Sequence, residues 1–203
     1  MSESVIEVLP NSIATEVLAH LGDAELDVDG VRCCKWLSGA SASSLPGLQI
    51  IEIKRKSDVL YCTAGASTVV DGPGYGLEFF MLARKTDDVL IELMAMVAHF
   101  HSNPEHRLGL GHTLRIGRPI VKGSSLDRLL ISLPYPFGPD FEYMHFSNGS
   151  HARMLWLVPI TQEEEEFRHK VGLDALEELL ERQGIPYSDL SRHSALTLGK
   201  LPE

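Results

Sequence analysis

Histidine is the residue type here best suited to chemistry, because an imidazole can ligate a metal or move a proton near neutral pH. The chain has nine, and His99, His101, His106 and His112 stand close together. A helical zinc site needs two histidines on one face, as in H-E-x-x-H, and a third ligand. His99 and His101 are two positions apart, which turns them to different sides of a helix, and no Asp or Glu lies between them. His106 and His112 fall in or after a loop. The spacing favours packed or exposed histidines over a metal centre. A metal-dependent enzyme built on His99, His106 and His112 is kept as a further alternative.

Other catalytic signatures fail on context. Gly72-Pro73-Gly74-Tyr75-Gly76 has the look of a phosphate loop, but it opens a strand where a dinucleotide loop opens a helix. No Lys-Ser or Lys-Thr directly follows the glycines, as a P-loop requires. The sequence has no G-x-S-x-G elbow. Cys33 and Cys34 are adjacent and Cys62 stands apart, with no C-x-x-C spacing, so buried reduced thiols are expected. The acids at 163–166 fall where a helix starts, and the helix dipole accounts for them without a metal. No catalytic residue, metal or cofactor is expected, and the chain reads as a non-enzyme.

The elements that must carry these residues are legible in part. Asn11-Ser12 can cap a short helix over 13–21, with Gly22 as its stop. Residues 23–48 read as irregular, acidic at first and then small and polar. Residues 48–54 and 59–63 read as a hairpin around Lys56-Ser57-Asp58, and the turn at 71–74 leads to a strand at 76–84. The clearest helix is 87–102, capped by Asp87, apolar on more than one face and therefore buried. Strands follow at 113–116, 126–133 and 154–160. Thr161 and Glu164 form a capping box for a helix that Gly172 breaks, and a leucine-bearing helix occupies about 173–183. About six strands and four helices, with strands both paired and single, predict an α+β domain with a mixed, largely antiparallel β-sheet packed with helices.

The bulk composition agrees with one globular unit. The 203 residues are 44% hydrophobic and 23% charged, with mean hydropathy near zero. The net charge of −10 would repel a phosphate backbone, so nucleic acid is not expected as a partner. It would attract a basic protein, although a negative surface also serves simple solubility. The N-terminus carries acids where a secretory signal has basic residues, and no apolar run is long enough to span a bilayer, so a cytoplasmic location is expected. Residues 134–150 are rich in proline, glycine and aromatics. Tyr135, Phe137, Phe141 and Tyr143 alternate there with Asp140, Glu142 and turn residues, which suits either a protein-binding surface or a loop folded back on the core.

Four blocks then make the chain resemble the suppressor-of-fused domain, its bacterial members in particular. They are Gly74-Tyr75-Gly76-Leu77-Glu78-Phe79-Phe80; Met94-Ala95-Met96-Val97-Ala98-His99-Phe100 followed by Gly109-Leu110-Gly111-His112; Leu129-Leu130-Ile131-Ser132-Leu133-Pro134; and Leu155-Trp156-Leu157-Val158-Pro159-Ile160-Thr161, continuing to Ser188-Asp189-Leu190-Ser191-Arg192. The resemblance implies a single suppressor-of-fused-like domain over 48–192. Residues 1–47 would pack on it and 193–203 would form a tail. It implies a protein-binding role without catalysis. Animal members hold a short peptide of Gli-type factors between two domains, and bacterial members are associated with toxin systems as immunity proteins. This chain is too short for the second animal domain, and Gly111 stands before His112 where the animal pattern has aspartate. The expected role is therefore neutralisation of a polymorphic toxin such as a basic nuclease, with a general regulatory interaction module as the alternative. The expected partner-contact residues are Tyr135, Phe137, Asp140 and Glu142 from the aromatic segment, with His99 and His112 from the block that matches the family's peptide-binding region.

Overall fold

Side chains alternate across each strand, and here that alternation sorts the core onto two faces of one sheet. The computed structural model describes residues 5–23, 26–36, 45–69 and 75–198. Among these are nine strands: β1 (Val5–Glu7), β2 (Val28–Trp36), β3 (Gln49–Arg55), β4 (Val59–Ala64), β5 (Gly76–Ala83), β6 (Thr113–Arg115), β7 (Arg128–Ser132), β8 (Tyr143–His145) and β9 (His151–Ile160). They form a single sheet in the order β1-β2-β3-β4-β5-β9-β7-β6, with β8 also on β9. Only β5 and β9 pair in parallel; every other pairing is antiparallel. The described helices are α1 (Ser12–Asp23), α2 (Asp88–Ser102), α3 (Gln162–Val171), α4 (Leu173–Arg182) and the short α5 (Ala195–Leu198). This is the α+β architecture expected, a mixed and mostly antiparallel sheet.

On one face Ile50, Tyr61, Phe79, Met81, Ile131 and Leu157 pack with Leu90, Ile91, Met94 and Val97 of α2. On the other, Ile51, Leu60, Phe80, Trp156 and Val158 pack with Val17 and Leu21 of α1 and with Leu176, Leu179 and Leu180 of α4. Each leucine so buried contributes about 2 kcal/mol relative to exposure. Local chemistry sets the helix starts. Asn11 Oδ1 accepts from Ala14 N–H at 2.9 Å, and Asp87 Oδ1 accepts from Val89 N–H at 3.0 Å. Thr161 and Glu164 complete the expected capping box.

Three strands depart from expectation. The segment read as irregular holds β2, which pairs with β3 along most of its length. Its pattern is Val-Asp-Gly-Val-Arg-Cys-Cys-Lys-Trp, and of these only Cys33 and Cys34 are buried, so its strand character comes from its neighbour. β1 and β8 are three residues each and exist through pairing with longer strands. Helix α1 continues through Gly22 to Asp23, and the tail carries α5. The expected turn at 71–74 and the small polar stretch at 38–44 lie outside the described residues.

Candidate functional site

Helix α4 presents Asp174, Glu177, Glu178 and Glu181 at i, i+3, i+4 and i+7, the spacing of one helical face. Its leucines, on the opposite face, hold it against the sheet. Between α4 and the strands lies a cavity of about 780 Å³, with Leu130 and Ser132 of β7, Trp156 and Val158 of β9, and Leu180 at its floor. Tyr135, Pro136 and Tyr187 form walls, and the four carboxylates form the rim. Among the described residues, no lysine, arginine or histidine lines it. Glu177 is oriented by two hydroxyls: Ser132 donates to Oε1, and Tyr135 donates to Oε2 at 3.1 Å.

The tyrosines register the negative potential. The Tyr135 hydroxyl is pushed up to about 12, by burial first and then by the charges of Glu177, Asp174 and Glu142. Burial also pushes Tyr187 up; Glu181 and Glu177 add to this, while Arg192 opposes it. An apolar floor with a carboxylate rim suits the side chain of a lysine or arginine, whose methylenes can lie on the floor while the charge meets the rim. Tyr135, 58% exposed, offers a ring face for a guanidinium.

The expected contact residues do not form one cluster. Tyr135 stands on the groove. Phe137 is half-buried beside Phe80 and Phe141, at ring distances of 5.3 Å and 4.6 Å, with the Arg55 guanidinium 5.0 Å from its centroid. Two tight turns (Tyr135–Phe137 and Pro139–Phe141), separated by Gly138 at φ 80°, carry these rings. Asp140 is exposed, and Glu142 is paired with Arg153. His99 lies on α2, on the other face of the sheet, among Leu93, Met96, Val97 and Leu114, and burial lowers its pKa. His112 is exposed just before β6. The preceding Gly111 has φ 79°, and a Cβ there would sit 3.2 Å from Leu173 Cδ2. An aspartate at this position would be strained. His106 stacks on Phe100 at 4.7 Å. Among the described residues, no group of three or more His, Cys, Asp or Glu is placed to hold a metal, so His99, His106 and His112 are not assembled as a centre.

The groove residues Trp156, Glu177, Glu178, Glu181 and Tyr187 were not singled out in the sequence. The acidic stripe of α4 was visible as a spacing, but its floor comes from strands far away along the chain.

The family model described as Suppressor of fused protein matches residues 45–193. No curated protein sequence matches the chain. The crystal structure of a suppressor of fused homologue from Neisseria gonorrhoeae FA 1090 is 33% identical, with a TM-score of 0.76 over 89% of this chain and 95% of that one. Drosophila Suppressor of Fused is 13% identical with a TM-score of 0.72; the match covers 98% of this chain and 54% of the Drosophila chain. A crystal structure of the Sufu–Fu complex matches at 11% identity and a TM-score of 0.64, over 94% of each chain. The last two share the fold. Among the described residues, no helix is long and apolar enough to cross a membrane.

Proposed function

Because the chain belongs to the suppressor of fused family, we propose that it is a protein-binding domain with no reaction of its own, and that it receives a basic partner along the groove between α4, β7 and β9. The observation that carries this reading is the groove itself: an apolar floor, four rim carboxylates and, among the described residues, no lining cation. Like charges at i, i+3 and i+4 disfavour a helix by tenths of a kcal/mol per pair, and a basic partner would relieve that repulsion. The Sufu–Fu complex supports a partner-binding use of this fold. Tyr135 and Asp140 would make direct contact, while Phe137 and Glu142 position the segment that carries them. His99 and His112 lie outside this surface and would serve only a partner that also reached α2 and β6.

The finer reading is an immunity protein of the bacterial cytoplasm that neutralises a polymorphic toxin, a basic nuclease by charge. Inhibition of this kind rests on a few buried anchors inside a polar rim, and the groove supplies both parts. The three buried, unpaired thiols are in keeping with a reducing compartment.

Co-expression with each toxin candidate that proves to be encoded beside it tests this. The toxin should harm cells only when the domain is absent, and the purified pair should associate at a salt-dependent rate. Glu178→Lys with Glu181→Lys should slow association by about tenfold or more at low ionic strength and flatten its salt dependence. Unchanged rates would remove the groove from the interface. Failure of every neighbouring protein to bind would end the immunity reading, and capture of a different basic protein would favour a regulatory module.

A further inference from the structure

Away from the groove, His145 and His151 face each other across the β8–β9 hairpin, and the backbone ladder brings this about. Phe146 N–H donates to Ser150 O at 2.9 Å, and Met154 N–H donates to Glu142 O at 2.7 Å. Positions 146/150 and 142/154 are therefore hydrogen-bonded pairs, and by alternation 145/151 is a non-hydrogen-bonded pair. Pairs of that kind hold their Cα atoms about 4.5 Å apart, with side chains in closest contact. The two Nδ1 atoms lie 2.8 Å apart, with ring planes at 83°. Both residues are exposed. The Tyr75 ring, 5.5 Å from His151 and 5.2 Å from Tyr143, braces one side of the pair. Arg153, on the same face, is engaged by Glu142, which offsets its charge.

We propose that His145 and His151 form a surface chelate for a divalent late first-row cation, copper(II) or nickel(II), each binding through Nδ1. With metal–nitrogen bonds of about 2.0–2.1 Å, two ligands at a right angle have nitrogens about 2.9 Å apart, whereas tetrahedral ligands are about 3.3 Å apart. The 2.8 Å separation, that of an N–H···N hydrogen bond, already holds both nitrogens within the span of one ion, and copper(II) and nickel(II) stand high in the affinity order of imidazole sites and accept right-angle ligands. Without metal, one neutral ring donates its Nδ1 proton to the other. On binding, both rings carry their proton on Nε2 and present both Nδ1 lone pairs inward, so no net proton is released from neutral rings. The other coordination positions remain for water or for a donor on a bound molecule, because no third protein ligand is grouped here among the described residues. The strands fix the two ligands before binding, so the second bond forms at high effective concentration. The site is independent of the acidic groove and of any partner.

Calorimetric titration of the untagged protein with copper(II), nickel(II) and zinc(II) chlorides tests it. One equivalent of copper or nickel should bind per chain, with zinc weaker. His145→Asn and His151→Asn should each weaken that event by about 10²-fold. Binding that survives both substitutions unchanged, or no binding below millimolar metal, overturns the proposal. A second measurement uses the unaltered protein: substoichiometric copper(II) should broaden the imidazole resonances of His145 and His151 before those of any other histidine. Earlier broadening elsewhere would also overturn it.

Discussion

Arg192 meets Glu164 with both terminal nitrogens, 2.7 Å to Oε1 and 2.9 Å to Oε2, and the two side chains are only 4% and 0% exposed. The same carboxylate accepts from Thr161 N–H at 2.9 Å, closing the α3 cap, and from Ala195 N–H at 2.7 Å. Arg192 also donates to Pro159 O at 2.8 Å. One carboxylate thus ties the end of β9, the first turn of α3 and the start of α5. Helix α4 follows α3 directly after Gly172, so this knot helps to set where the acidic rim of the groove lies.

Arg192→Met should lower folding stability by about 3–5 kcal/mol, because it leaves a fully buried carboxylate without its cation. Arg192→Lys should lie between, since an ammonium cannot reproduce the two-pronged contact. Urea denaturation measures both, and a loss below about 1 kcal/mol for the methionine variant would contradict the role given to the pair.

Tyr135 should make the protein less stable at high pH. Its folded value of about 12 lies above the ordinary tyrosine value of about 10, so the folded state holds the proton longer. The stabilisation is present below about pH 10 and is lost as pH rises through about 12. Ultraviolet difference titration of the native protein against Tyr135→Phe should assign one late-titrating tyrosine to this position. Glu177→Gln should move that titration toward lower pH without returning it fully, because burial is the larger cause.

Glu181→Gln should raise stability by about 0.5 kcal/mol at low salt. It removes repulsion from Glu177 and Glu178 and a negative charge from the C-terminal end of α4. The gain should fade in concentrated salt. A stability loss in thermal melts would show that Glu181 is engaged in a favourable contact instead.

The thiols should be inert in the folded protein. Burial pushes Cys34 up to about 11, with Arg32 opposing and Glu52 and Glu7 adding to the shift; burial also raises Cys33 and holds Cys62 well above the ordinary thiol range. The thiolate is the reactive form. A disulfide reagent at neutral pH should label no cysteine in the native state and all three in denaturant. Rapid native labelling of Cys33 would contradict this.

Gly76→Ala should cost about 3 kcal/mol. A Cβ there would fall 2.2 Å from Ser67 O, in the turn whose backbone N–H groups surround the buried carboxylate of Glu78. Gly117→Ala, where a Cβ meets nothing within 4 Å and only the positive φ is strained, should cost less. Equal losses in denaturant titration would show that close approach is not what requires glycine at position 76.

Helix α2, the capping box at Thr161 and Glu164, the break at Gly172 and the hairpin of β3 and β4 were legible because each depends on residues a few positions apart. The α+β class followed from their order, and the family resemblance from four blocks in sequence. Strand β2 was not legible, because its polar pattern becomes a strand only beside β3. Tyr135 stands out in the sequence by its ring, whereas Trp156 is visible only as part of a family block and nothing local marks Tyr187 or the carboxylates of α4 as a site. Nothing local joins His145 to His151, six positions on.

By itself, then, the sequence determined the local elements, the acidic charge and the family to which those elements belong. Only the tertiary structure decided which surfaces exist. The parallel pairing that sets Gly76 opposite Ala152, and the docking of α4 over β7 and β9, join residues whose separation along the chain exceeds the reach of any local pattern. The reason is physical: caps and turns are satisfied within a few bonds, while a groove floor or a cross-strand imidazole pair arises only when sheet register selects which distant side chains face one another.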